Sequence, residues 1–412
     1  MTTATPPATV AIARSDAELQ RLRPTWQRLH RHPNADFEFT RALLAAHPER
    51  APFVLAIPGL DDPVAVLVGR LARTRLPIRF GYRTLMQPRI RAIELVQGGV
   101  LTSQSPDPEV MQLLARCLGR ELAAGTADVL RAEHLPLDHP LATALLAAGA
   151  RPARPLPDLH WVASLPGTFD EFLAARSRNT RRNVRRFEKG FLDPFADRHE
   201  IRRYDRPDQL ETLAGEIEAV ARTTYHRGLG AGFVDGAQKR ALLAQGLAAG
   251  TYRAWVLHVD GAPAAFWDGR VCCGVLHTET TGYLPALAEQ RPGWYLLLHV
   301  LRELCADPAI HAVDFGIGDA QYKQMLCDRS WPEQPLQWFA PTLRARWLQG
   351  LSAAADRSAR WARGVLDRAG LTQRIKQRWR RRLAAGANPA PAAPNVTPTD
   401  PPADPSRMPP GS

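Results

Sequence analysis

His277-Thr278-Glu279-Thr280-Thr281-Gly282-Tyr283, then Gln290-Arg291-Pro292-Gly293-Trp294-Tyr295 and the apolar run Leu296–Leu304, is the stretch on which the reading of this chain turns. The first part has the composition of a strand, the last that of a buried helix, and a glycine-bearing loop joins them. Such a junction makes an anion site. The first-turn N–H groups of a helix lack intrahelical partners, and its macrodipole is positive there. The loop could hold a pyrophosphate without a metal, or Gly293 could simply punctuate a turn. A second signal follows: Val313-Asp314-Phe315-Gly316-Ile317-Gly318-Asp319, then Tyr322-Lys323. A strand running into Gly-x-Gly leaves its sheet sharply, and ligands favour the carboxyl ends of strands. Lys323 there can stabilise a developing oxyanion, and Tyr322 can protonate a leaving thiolate. The alternative is that Tyr322 packs, Lys323 meets water, and Asp314 or Asp319 caps a helix.

Working outward, Phe169–Phe191 is expected as a helix, as are Leu210–Thr224, Gln238–Ala249 and Gly293–Ala306. Tyr252–Val259 and Ala262–Gly269 form a hairpin across Asp260-Gly261, and Val271–Gly282 extends the meander. Short strands are expected at His311–Phe315 and Leu336–Ala340, the latter closing this sheet. The first half fits the same plan. Strands are expected at Val10–Ala13, Pro52–Ile57, Val64–Leu71, Arg91–Val96 and Asp128–Glu133, with helices at Asp16–His30, Phe39–Ala46, Glu109–Ala124 and Leu141–Ala148. The fold class is therefore mixed α/β. It has two tandem units, each a mainly antiparallel mixed sheet flanked by helices, plus a basic helical tail. The boundaries read as 1–155, 156–340, a basic segment 341–385 and a Pro/Ala-rich tail 386–412.

The net charge of +12 invites a nucleic-acid reading, but its location argues otherwise. Twelve Arg or Lys against two Asp lie between Pro341 and Ala385, which leaves the body nearly neutral. Trp347, Leu351, Ala354 and Ala355, and then Leu371, Ile375, Trp379 and Leu383, recur at helical spacing among those arginines. Such helices lie on an anionic membrane surface or pack on the domain with a solvated basic face. The tail beyond Asn388 has the composition of a disordered segment. No apolar run approaches the ~20 residues of a membrane helix, and the first thirty residues carry no secretory pattern. A cytoplasmic protein is expected, with membrane association through the basic segment as an option. The cysteines Cys117, Cys272, Cys273, Cys305 and Cys327 have no metal-ligand spacing, and no metal is expected. Cys272 and Cys273 read as buried reduced thiols. Arg178, Arg182, Arg185 and Lys189 share one helical stripe, either a solvated face or a seat for an anionic partner.

Taken in order, Phe169-Asp170-Glu171-Phe172-Leu173, the Arg178–Arg186 run, Tyr225-His226-Arg227-Gly228-Leu229-Gly230, Thr281-Gly282-Tyr283, Pro292-Gly293 and Asp314 to Lys323 resemble the GNAT acyltransferases related to the cellulose-biosynthesis protein CelD. They are distantly similar to the Fem-type aminoacyltransferases, which carry two GNAT units. The resemblance spans Leu165–Arg329 well and the first half in outline. It implies an N-acyltransferase that takes acyl-CoA as its donor substrate, with no metal. Gln290, Arg291, Gly293 and Trp294 would lie at the donor's pyrophosphate, although Tyr295 stands where a small residue is usual and is expected to crowd it. Tyr322-Lys323 looks like the aromatic-Lys pair of Fem-type enzymes, and Glu279 or Asp314 would accept the amine proton. The acceptor class is an amine on an amino sugar or envelope precursor. An aminoacyl-tRNA donor and a non-catalytic binding protein are the competing readings. In the first half, Gln97-Gly98-Gly99-Val100 is the nearest counterpart of the loop and falls short of the pattern, so that unit reads as non-catalytic.

Overall fold

The computed structural model describes residues 10–80, 83–154, 156–224, 227 and 232–368. The Tyr225–Gly230 motif apart from Arg227, the second basic helix from Leu371 and the Pro/Ala-rich tail lie outside them. The chain divides into two compact units, one of residues up to Pro157 together with the segment from Glu333, the other of Asp158–Pro332.

Each unit is built on a seven-stranded sheet, and the two sheets follow one plan. The first runs Ala11–Ala13, Arg50–Ile57, Ala65–Arg75, Arg89–Thr102, Val129–Ala132, Leu336–Phe339 and Arg151–Pro152. The second runs His199–Tyr204, Tyr252–Val259, Ala262–Cys272, Val275–Tyr283, Ala312–Ile317, Asp158–Ser164 and Arg329–Glu333. In both, four antiparallel strands are followed by a parallel fifth and an antiparallel sixth. The strand expected to close the second sheet at Leu336–Ala340 instead pairs with Val129–Ala132 of the first. The sixth place in the second sheet goes to Asp158–Ser164. Gln97–Val100 is not a loop either; it lies within the long strand Arg89–Thr102, with Gly98 at a φ of 66°.

In the second unit the hairpin turn at Asp260-Gly261 has φ of 53° and 77°, the pair of left-handed residues that a two-residue type I′ turn requires. A like turn at Cys273-Gly274, φ 50° and 75°, breaks what read as one continuous run. Cys273 is accordingly exposed while Cys272 is buried, so the expected pair of buried thiols holds only for Cys272. The helix expected over Phe169–Phe191 is two helices, Phe169–Ala174 and Arg178–Phe195. Ser177 starts the second by accepting the Thr180 N–H at 3.1 Å. Thr180, Val184, Phe187, Phe191 and Phe195 recur every three or four residues and are buried, which gives this arginine-rich segment one apolar face. That face and the helix Pro292–Ala306 cover one side of the sheet, around Trp255, Trp267 and Leu276. The helices Leu210–Ala221 and Ala237–Ala248 cover the other, around Tyr252, Ala254 and Phe266.

In the first unit the helix Leu343–Arg368 seats Leu348, Leu351 and Ala355 against Ile78, Ile90 and Val129, leaving Trp347 exposed. Among the described residues, no helix is long and apolar enough to cross a membrane.

Candidate active site

The parallel strands Val275–Tyr283 and Ala312–Ile317 pair at only three rungs, the last being His277 with Asp314. Beyond that rung they part. Just past it, Trp267 faces Thr281 and Gly269 faces Thr278, so Glu279 and Thr280 together oppose Asp268. Such a bulge bends its strand and re-aims side chains.

The strand leads through a short 3-10 turn, Pro285–Gln290, to the helix Pro292–Ala306. Arg291 adopts the left-handed conformation, φ 57° and ψ 48°, and no side chain caps the helix. Its carbonyl accepts the N–H groups of Trp294 and Tyr295 at 3.0 and 3.2 Å. Its guanidinium lies 4.2 Å over the Phe187 ring. A Cβ on Gly293 would come within 3.2 Å of the Tyr283 ring, so glycine keeps this approach open. Gln290 Oε1 is buried with no hydrogen-bond partner, and an amide flip would turn its NH2 there. A side-chain-free helix start with an unused amide fits a phosphate group. Tyr295 does not crowd the loop as expected. Its ring stacks on Phe191 at 4.2 Å and its hydroxyl meets His199 Nε2 at 2.8 Å, inside the core.

At the parting point, Asp314 Oδ1 accepts from His160 Nε2 at 2.7 Å and from the Gly316 N–H at 2.7 Å. Its Oδ2 lies 3.1 Å from His277 Nδ1. Burial opposes the charge of this carboxyl, but the hydrogen bond from His160 and the His277 ring beside it outweigh it and hold the group well below the usual range. Asp314 thus holds His160 directly and stands against His277. Trp331 stacks on His160 at 4.4 Å.

Lys323 is buried at 5% exposure, and its ammonium donates to the carbonyls of Gly316 and Ile317 at 3.3 and 2.6 Å. The Gly316 peptide thus joins Lys323 to Asp314, one through its C=O and the other through its N–H. Tyr322 sits among Trp267, Phe315 and Trp294, with ring centroids 5.9, 5.7 and 6.3 Å away. The Tyr322-Lys323 pair and Trp294 at the start of helix Pro292–Ala306 are thereby brought together, with Asp314 linked to them through the loop backbone.

Glu279 stands apart. It is clamped by Lys239 at 3.0 Å and by the Arg270 guanidinium. Burial pushes its carboxyl up, but the two cations hold it down at about 2. A carboxylate so stabilised accepts protons reluctantly, and at the strand position where a base is expected this side chain stands in two ion pairs. Beside it, Asp268 is fully buried and accepts from the Tyr252 hydroxyl and from Thr280. Burial raises Cys327 to about 12, which leaves no thiolate nucleophile there.

His277 and His160 went unremarked in the sequence. His277 belongs to the deciding stretch, but its meaning comes only from the register that sets it opposite Asp314.

Residues 178–324 match the acetyltransferase (GNAT) domain family. No curated protein matches the chain. Among solved structures, FemX is similar over 81% of this chain and 98% of its own, with 11% identity and a TM-score of 0.53. A conserved protein of unknown function from Bacteroides thetaiotaomicron VPI-5482 is similar over 80% of this chain and 100% of its own, at 11% identity and a TM-score of 0.48. A tandem GNAT protein from the clavulanic acid biosynthesis pathway is similar over 82% and 99%, at 14% identity and a TM-score of 0.45. At such identity the likeness to FemX shows the fold alone.

Proposed function

We propose that the second unit is an N-acyltransferase that moves an acyl group from a thioester on a pantetheine-type arm, as in acyl-CoA, to an amine, in the manner of the CelD-related GNAT group. The observation that carries this is the parting of two parallel strands at His277 and Asp314, directly before an uncapped helix start at Arg291–Gly293. A thioester arm fits between separated strands, with its phosphates at that helix start.

The amine attacks the thioester carbonyl, a C–N bond forms and the C–S bond breaks. The Asp314–His277 pair accepts the amine proton. The Lys323 charge, set by the Gly316 and Ile317 carbonyls, stabilises the oxyanion electrostatically. Tyr322 supplies a proton to the departing thiolate. The acceptor class remains an amine of an amino sugar or envelope precursor, reached from a cytoplasmic or membrane-bound position.

A bulky Tyr295 at the loop and the arginine stripe are the features that would favour an aminoacyl-tRNA donor. With Tyr295 packed inward that reading keeps only the stripe. Thermal-shift measurements against a panel of coenzyme A thioesters test the proposal, since a bound ligand raises the unfolding temperature by mass action. A shift selective for acyl chain length is expected. No shift with any thioester, beside a salt-steep affinity for tRNA, would replace it with the aminoacyl reading. Retention of neither would leave a non-catalytic binding protein.

A further inference from the structure

The cations of the second unit are unevenly committed. Arg198, Arg202, Arg203, Arg240, Arg253, Arg270 and Arg302 all sit in ion pairs. On the helix Arg178–Phe195 the pattern reverses. Arg178, Arg182, Arg185, Arg186 and Lys189 are exposed, and among the described residues none has an acidic partner. Arg178, Arg182, Arg185 and Lys189 form one row, about 16 Å long at 1.5 Å of rise per residue. Like charges at this spacing repel, so the row costs stability until an anion meets it. It is also longer than any single phosphate group.

The same helix also borders the loop before Pro292–Ala306. Arg186, Phe187 and Gly190 of the helix and Glu289, Gln290 and Arg291 of the loop line a cavity of about 240 Å³. By helical geometry this cavity lies at the Lys189 end of the row, about a quarter to a third of a turn round the helix from it.

Three kinds of anion come into question, and the surroundings favour one. A nucleic acid needs a broad basic field and profits from exposed aromatics for base stacking. Here the cations lie on one helix, Phe187 and Phe191 are buried, and the acidic Asp193 follows on the same helix. A membrane surface needs apolar side chains beside the cations, but this helix buries its apolar face in its own domain. A second helix with carboxylates three and four residues apart matches the row in length, period and sign.

We propose that the row Arg178–Lys189 docks an acidic helix of a carrier protein, which delivers the acyl thioester on a pantetheine arm through the Arg186–Arg291 cavity. This rests on the thioester reading above and specifies the carrier. After transfer, the products are the amide and the carrier's free thiol.

The test uses the full chain and an acidic acyl carrier protein charged with an octanoyl thioester. Octanoyl-CoA, an RNA hairpin and phosphatidylglycerol vesicles serve as parallel probes. The charged carrier is expected to bind with an affinity that falls steeply with salt and at least tenfold in R182E/R185E, whose thermal unfolding should match the wild type. Carriers with two helix carboxylates changed to lysine should restore binding to R182E/R185E; a merely structural role for the row predicts no such rescue. Equal binding by the wild type and R182E/R185E overturns the inference, as does preference for the RNA or the vesicles. Stabilisation by octanoyl-CoA with the carrier ignored also overturns it, while sparing the acyltransferase reading. If neither thioester is bound, the acyltransferase reading itself fails.

Discussion

Asp314 Oδ2 lies 3.1 Å from His277 Nδ1 at the last rung before the two parallel strands separate. A buried carboxylate held in its charged form fixes an imidazole's orientation and stabilises it once protonated. His277→Gln is expected to lower kcat about 10²- to 10⁴-fold, the usual worth of a positioned base. His160→Gln, which alters the other carboxylate oxygen, should cost far less in rate. A His277→Gln enzyme with normal turnover would remove this residue from the mechanism.

Lys323 spans structure and chemistry, because the loop carbonyls that hold it also fix where its charge sits. Lys323→Ala should abolish detectable transfer, a loss of about 10²- to 10³-fold or more if the charge stabilises the oxyanion. It should also lower stability by about 2 kcal/mol, because two carbonyls lose a charged donor. The fold should survive, as circular dichroism and urea unfolding can establish. Near-normal turnover would sink the assignment.

Gly293 permits the close approach of Tyr283 at the helix start. A branched side chain there would press on the ring and stand where a phosphate would approach the backbone. Gly293→Val is therefore expected to raise the donor KM about tenfold or more with kcat less affected, the pattern of lost ground-state binding. The reverse pattern, a low kcat with unchanged KM, would mean that the loop does not hold the donor.

Much of this was legible in the sequence, for reasons that differ by element. The Asp260-Gly261 turn was readable because only a few residues tolerate two successive left-handed conformations. Helix Pro292–Ala306 was readable, from Gly293 onward, by its apolar run behind a glycine-bearing loop. Strand His199–Tyr204 did not, since an edge strand carrying Glu200, Arg202 and Arg203 has little apolar alternation. The ion pairs of Glu279 were not legible because they depend on neighbours distant in sequence; Lys239 is brought to it by tertiary packing alone. Nor could the placement of Leu336–Phe339 be read locally, because periodicity gives a strand's faces but not its partners.

Glu279 gives a pH prediction with a definite sign. Its folded carboxyl is held at about 2 against an ordinary value of 4.5. The stabilisation is therefore complete above 4.5 and is lost as pH falls toward 2. Glu279→Gln should destabilise the unit by about 3 kcal/mol near neutral pH. It also leaves Arg270, only 2% exposed, without its carboxylate. The gap between wild type and variant, measured by urea unfolding, should narrow steadily below pH 4.5. A gap independent of pH would mean that the loss comes from packing.

The strand Leu336–Phe339 lies between Val129–Ala132 and Arg151–Pro152, although in the sequence it follows the second unit. Leu336 is buried, and the Trp338 ring sits where a Cβ on Gly119 would approach to 2.6 Å, so this strand closes part of the first core. A chain ending at residue 334 loses it, whereas one ending at residue 341 keeps it and drops only the helix beyond. The shorter chain exposes the edge of Val129–Ala132 and the apolar residues beneath. It is therefore expected to lose hydrogen-exchange protection there by a factor of 100 or more, about 3 kcal/mol, while Tyr252–Cys272 keeps its protection. The longer chain should retain both. Equal protection of Val129–Ala132 in the two truncations would mean that the first sheet holds without the strand, against the pairing observed.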